Sequence, residues 1–202
     1  MKANVYVDGF NLYYGAVKNT PYRWLDIASV CRLLLPRDHI HQIKYFTALV
    51  EPRSIDPGQR IRQETYLRAL ATIPNFKIFF GFFLTHEVTM PLVDGGSVRV
   101  VKTEEKGSDV NMATQLLLDV YHNDFEVAVI ISNDSDLLMP IQVVTREFKK
   151  PVGLLNPQKH VSNALLPHVV FIKHIRQGVL AKSQFPLTLT DKRGVFSKPA
   201  SW

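Results

Sequence analysis

Glu126-Val127-Ala128-Val129-Ile130-Ile131-Ser132 runs directly into Asn133-Asp134-Ser135-Asp136. The first seven residues are almost entirely apolar and show no polar alternation. That predicts a strand buried on both faces, as found at the centre of a parallel sheet. An acidic pair directly after such a strand sits where open parallel sheets bind their ligands, at the carboxyl ends of the strands.

Working outward, strands and helices are expected to alternate, which is the pattern of a mainly parallel sheet covered by helices on both faces. Residues 3–7 (ANVYV) form a short β-branched and aromatic run that ends at Asp8-Gly9. Helices are expected around 10–17, around 26–35 before Pro36, and over 57–72 between Pro57 and Pro74. Further strands are expected over 40–50 (IHQIKYFTALV) and 76–83 (FKIFFGFF). Residues 84–93 and 97–103 flank Asp94-Gly95-Gly96 and predict an inserted β-hairpin, with Pro91 tolerable only at an edge. The helix after Gly107 is expected to bury Val110, Ala113, Leu117, Val120 and Tyr121. A helix over about 137–148 and strands over 151–155 and 168–172 complete the alternation. The expected organisation is one domain over residues 1–180 and a basic C-terminal tail over 181–202, flexible or docked through a few aromatics.

The bulk numbers agree with a packed α/β domain. The chain has 202 residues, 46% hydrophobic and 21% charged. No run approaches the length of a membrane helix, and the N-terminus meets Asp8 and Asn11 too early for a signal peptide, so a soluble cytoplasmic protein without membrane contact is expected. Cys31 is the single cysteine and sits in an apolar stretch, which removes disulfide and thiolate-metal readings and makes it a core residue. The net charge of +6 favours a polyanionic partner without specifying one.

Candidate chemistry lies on aspartates. Asp8 ends the first strand, Asp134 and Asp136 follow the central one, and Asp109 opens the helix after Lys106-Gly107-Ser108. Each also has an ordinary explanation as a turn residue or a helix cap. Taken together, carboxylates converging on one strand end would repel each other unless a cation neutralised them. Oxygen-only ligands suit Mg²⁺ or Mn²⁺ rather than zinc. Gly-rich phosphate loops, a Gly-x-Ser-x-Gly elbow and a His-Glu-x-x-His zinc motif are absent from the sequence. His39 and His41 share strand spacing but lack a ligand partner. Arg53, Arg60, Arg62 and Arg68 could contact phosphates, although Arg60, Glu64 and Arg68 also make an ordinary solvated helix face.

Three stretches resemble the NYN domain, a branch of the PIN-like nucleases that includes the LabA-like proteins. They are Val7-Asp8-Gly9-Phe10-Asn11-Leu12, Glu105-Lys106-Gly107-Ser108-Asp109-Val110 and Ser132-Asn133-Asp134-Ser135-Asp136-Leu137, in the family's order and spacing. The resemblance implies a Rossmann-like, PIN-type three-layer sandwich, a Mg²⁺ or Mn²⁺ site, and nucleic acid as partner, RNA ahead of DNA. It places Asp8, Asp109, Asp134 and Asp136 on the family's acidic metal positions, and Asn11 on an asparagine that orients Asp8 or a metal-bound water. Ser132 would hydrogen-bond within the site. Apart from the resemblance, Lys106 could contact the scissile phosphate, although a solvated lysine is the more ordinary reading. Asn133 departs from the pattern by standing where the family usually has glycine. The expectation is a backbone with positive φ, which asparagine tolerates, and a side chain that narrows access to the phosphate. The implied activity is hydrolysis of single-stranded RNA to 5′-phosphate and 3′-hydroxyl ends. A binding or scaffold protein without turnover and a small-molecule phosphatase are the rivals; the latter needs an aspartate where Tyr6 or Phe10 stands. A homo-oligomer is compatible with the sequence.

Overall fold

The computed structural model describes residues 1–52 and 54–202, so Arg53, one of the four arginines singled out above, lies outside the described residues. Six strands form one parallel sheet: β1 (Lys2–Asp8), β2 (His39–Thr47), β3 (Phe76–Phe80), β6 (Val127–Ile131), β7 (Val152–Asn156) and β8 (Phe171–His174). Their spatial order is β3-β2-β1-β6-β7-β8. The order reverses between β1 and β6, which makes the carboxyl ends of those two strands the topological switch point. Every residue of β6 is fully buried, as its unbroken apolar run requires.

Helices cover both faces, and β1 shows how the alternation assigns them. Ala3, Val5 and Val7 point into one core with α2 (Ile27–Leu34), Trp24 and the C-terminal segment. Tyr6 points into the other, with Met112, Leu116 and Val120 of α4 (Ser108–Tyr121) and Ile141 and Val144 of α5 (Leu138–Arg146). By parity Asp8 belongs to the same face as Tyr6, the α4 side of the sheet. α1 (Gly9–Leu12) follows β1 directly and continues as a π turn over Tyr13–Val17; α3 (Gln59–Leu70) joins β2 to β3. Among the described residues, no helix is long and apolar enough to cross a membrane.

The structure corrects three local expectations. The run FKIFFGFF is not one strand: it breaks at Gly81, with β3 in the main sheet and β4 (Phe82–Pro91) in the hairpin with β5 (Ser97–Lys106). A Cβ at Gly81 would collide with the Glu105 carboxylate and the Lys106 carbonyl, so only glycine lets the chain leave the sheet there. Second, α4 is rotated from its expected phase. Val110 and Tyr121 are 68% and 73% exposed, and the buried face runs Ser108, Met112, Leu116, Asp119, Val120. Third, the strand expected over 168–172 starts later, because Pro167 lies in a 3₁₀ turn, Leu166–His168. The arginines of α3 follow the ordinary reading and are engaged within the protein: Arg60 pairs with Glu64, Arg62 with Asp56 and Arg68 with Asp191.

That last contact ties down the C-terminal segment. α6 (Gln177–Lys182) is followed by a hairpin of β9 (Thr188–Asp191) and β10 (Gly194–Ser197). Arg68 donates from Nε and Nη2 to the two Asp191 oxygens at 2.7 and 2.6 Å, and its guanidinium stacks 4.0 Å from the Phe196 ring centroid. Trp24 Nε1 donates to the Pro186 carbonyl, and Trp202 packs on Tyr66. Residues 181–202 are thus docked through aromatics and one bidentate ion pair.

Candidate metal centre

Asp8, Asp109 and Asp134 meet at the switch point. One carboxylate oxygen from each lies within 4.8 Å of the others. Asp8 arrives from the end of β1 and caps α1: its Oδ1 accepts from the Asn11 N–H at 2.8 Å. Its Oδ2 accepts from the Ser132 hydroxyl at 2.9 Å, and Ser132 Oγ in turn accepts from the Asp134 N–H at 3.1 Å. Buried Ser132 therefore sets the separation between the aspartates from β1 and β6. Asp134 caps the 3₁₀ turn Ser135–Leu137, its Oδ1 accepting from the Asp136 N–H. Asp109 arrives from the first turn of α4, which begins after Gly107 in a left-handed conformation, φ +95°. Glu105 Oε1 accepts from the Ser108 N–H and hydroxyl and fixes that turn from the hairpin side.

The electrostatics match a like-charge cluster. Burial pushes the Asp8 carboxyl up, opposed by the hydrogen bonds from Asn11 and Ser132. Asp109 is pushed up to about 6, first by partial burial and then by the charges of Asp8, Asp134, Glu105 and Asp136. Hard oxygen donors in mutual repulsion, two of them held by directed hydrogen bonds, fit a divalent cation such as Mg²⁺ or Mn²⁺.

Asp136 is not part of the trio. Its side chain is exposed on the 3₁₀ turn, and its charge reaches Asp109 without joining the converging oxygens. Lys106 takes the ordinary, solvated position. It lies 3.6 Å from Glu104, on the hairpin face opposite Glu105, because successive strand residues alternate. Glu105, Phe83, Thr85 and Thr103 instead wall the cleft of about 570 Å³ that contains the aspartates.

Asn133 behaves unlike either expectation. It is not among the residues with positive φ. Its side chain turns away from the aspartates, donating to Gln158 Oε1 and the His160 carbonyl and accepting from the Ser162 N–H at 2.7 Å. Asn11 Oδ1 accepts from the Asn133 N–H and from Gln158 Nε2, so these polar side chains bind the loop after β7 to the site. Glu105 and Gln158 were not singled out from sequence. Glu105 carried a signal, an acid three residues before the residue it caps; Gln158 is brought in by tertiary contact alone.

The pH dependence of stability follows from Asp109. A carboxyl raised to about 6 in the folded state stabilises it below the unfolded value of 3.8, and this contribution is lost as pH rises through about 6. In EDTA, Asp109→Asn should therefore melt higher than the parent at pH 7.5, with the advantage shrinking towards pH 4. Melting curves at both pH values check this; a variant no more stable than the parent at pH 7.5 would show that no repulsion is relieved.

Comparison with known proteins extends the geometry. Residues 2–173 match the NYN domain. The whole chain aligns at 28% identity with 75% of 6-hydroxy-3-succinoylpyridine 3-monooxygenase HspA of Pseudomonas putida. The fold is similar to that of a Vibrio parahaemolyticus protein of unknown function, with a TM-score of 0.59 at 13% identity, covering 91% of this chain and 96% of that one.

Proposed function

Because this chain belongs to the NYN domain family of PIN-like nucleases, we propose that it is a cytoplasmic metal-dependent ribonuclease hydrolysing phosphodiester bonds of single-stranded RNA. The observation that carries the reading is the convergence of Asp8, Asp109 and Asp134 at the switch point of the sheet. These three residues would hold Mg²⁺ or Mn²⁺. Such an ion, when bound, supplies charge neutralisation at the phosphate and activation of a water. Asn11 and Ser132 keep the Asp8 carboxylate aimed into the cleft, and Ser132 also orients Asp134. Asp136, exposed on the turn after Asp134, would help position the attacking water. The products are a 5′-phosphate and a 3′-hydroxyl. Lys182, Lys192, Arg193 and Lys198 give the docked C-terminal segment an excess of positive charge for the RNA backbone. The turn of the Asn133 side chain into the 158–162 loop leaves the aspartates open to the cleft, which favours turnover over a purely binding role.

End-labelled single-stranded RNA and DNA of one sequence, incubated with Mn²⁺ or with EDTA, test the reading. RNA should be cut, faster than DNA, and only with the ion. An RNA left intact by the pure protein in Mn²⁺ would end the proposal.

A further inference from the structure

A second cavity, about 170 Å³, opens beside the carboxylate cleft and shares Phe10, Tyr14, Val50 and Gln59 with it. Its chemistry is different. Where the cleft is acidic, this cavity is walled by rings, chiefly Tyr13, Tyr14, Tyr45, Tyr66 and Trp202. The rings brace one another: Tyr13 meets Tyr14 edge-on at 5.2 Å between centroids, and Tyr66 meets Trp202 at 5.6 Å. Most polar groups around it are already engaged. Arg62 is held by Asp56, and Gln63 bonds the backbone of Ala48 and Val50. Tyr45 is only 6% exposed, and its hydroxyl is a donor at the cavity wall. That hydroxyl lies against Gly9, the neighbour of Asp8, where an added Cβ would stand 2.7 Å away.

We propose that this cavity receives one unstacked base of the RNA strand whose phosphate lies at Asp8, Asp109 and Asp134, and so makes cleavage depend on the base beside the scissile bond. The inference rests on the ribonuclease reading above. A nucleotide joins an anionic phosphate to a flat aromatic base, and here an acidic cation-binding cleft adjoins a ring-lined pocket. The volume is well below the roughly 300–1,000 Å³ of sites for drug-sized ligands, so it suits a single heterocycle. Aromatic walls take a base by stacking, which is how single strands are commonly held. The Tyr45 hydroxyl can donate to an oxygen or ring nitrogen on the edge of the base.

The test uses the full chain and a short single-stranded RNA, intact or with one abasic position moved along it. In EDTA, where no cutting occurs, the intact RNA should quench the fluorescence of Trp202, and Trp202→Phe should remove that signal. The abasic RNA that empties the pocket should bind about fivefold to a hundredfold more weakly than the intact one. Tyr14→Ala should erase this difference; Tyr14 is 60% exposed, so its loss does not threaten the fold. Tyr45→Phe, which keeps the shape, should reduce the difference. In Mn²⁺, cleavage should fall when the abasic position neighbours the cut and not when it lies several nucleotides away. Equal binding of intact and abasic RNA by the parent, or a difference unchanged in Tyr14→Ala, overturns the pocket even if cleavage stands. Base-dependent binding without any Mn²⁺-dependent cleavage supports the pocket and removes the nuclease reading.

Discussion

Asp134→Asn should abolish Mn²⁺-dependent RNA cleavage, lowering kcat/KM by at least about a hundredfold, while the protein stays folded. A cation at such a site stabilises the transition state by several kcal/mol, and each 1.36 kcal/mol is a factor of ten in rate. The amide keeps the shape of the side chain and an acceptor for the Asp136 N–H, so the cap of the 3₁₀ turn survives. What disappears is one of three anionic oxygens lying within 4.8 Å of each other. A readout independent of turnover accompanies the kinetics. Mn²⁺ should raise the melting temperature of the parent, since a ligand bound only by the folded state contributes about 2.7 kcal/mol at a hundredfold excess over Kd. The variant should lose most of that rise without melting lower in EDTA. A variant that cuts RNA at the parental rate would remove Asp134 from the site.

Asp119→Ala should destabilise the fold by about 3–5 kcal/mol without touching the metal centre, the cost of leaving a buried charge without its partner. Lys44 is 3% exposed, and its ammonium donates to Asp119 at 2.7 Å and to Gln115 Oε1 at 2.9 Å. The other Asp119 oxygen accepts from the Tyr6 hydroxyl at 2.5 Å and from Asn4 Nδ2 at 3.3 Å. This network sits at the opposite end of α4 from Asp109 and pins the helix to β1 and β2. Against a typical total of about 5–15 kcal/mol, the loss is a large fraction of the whole. Urea unfolding measures it, and the double variant Lys44→Met, Asp119→Leu should recover much of the deficit because the stranded charge is gone too. A single variant within 1 kcal/mol of the parent would mean that solvent reaches Lys44.

The same network explains where the sequence misled. The expected face of Val110, Ala113, Leu117, Val120 and Tyr121 leaves Asp119 on the outer side of α4, whereas the structure buries Asp119 on one face with Met112 and Leu116. A lone charge in a helix is ordinarily outside; Lys44, Tyr6 and Asn4, 75, 113 and 115 residues away in sequence, make its burial tolerable. The break at Gly81 is similar: the strand composition of FKIFFGFF is real, but the collision that enforces the break comes from Glu105 and Lys106 across the hairpin.

By itself the sequence determined the elements and the acids at their ends. The unbroken apolar run over 127–131 makes the central strand, the short run over 2–8 its neighbour, and the left-handed glycine at 107 the start of the helix that carries Asp109. These are local matters of hydrophobic period and backbone freedom, legible without knowing what packs where. Tertiary structure alone decided which acids converge. It brought Asp8, Asp109 and Asp134 together, left Asp136 on an exposed turn, placed Lys106 on the far side of the hairpin, and carried the Asn133 side chain into the loop after β7. The direction of a side chain at the end of a strand or in a turn depends on the partners that neutralise its charge and satisfy its hydrogen bonds, and those partners come from remote parts of the chain.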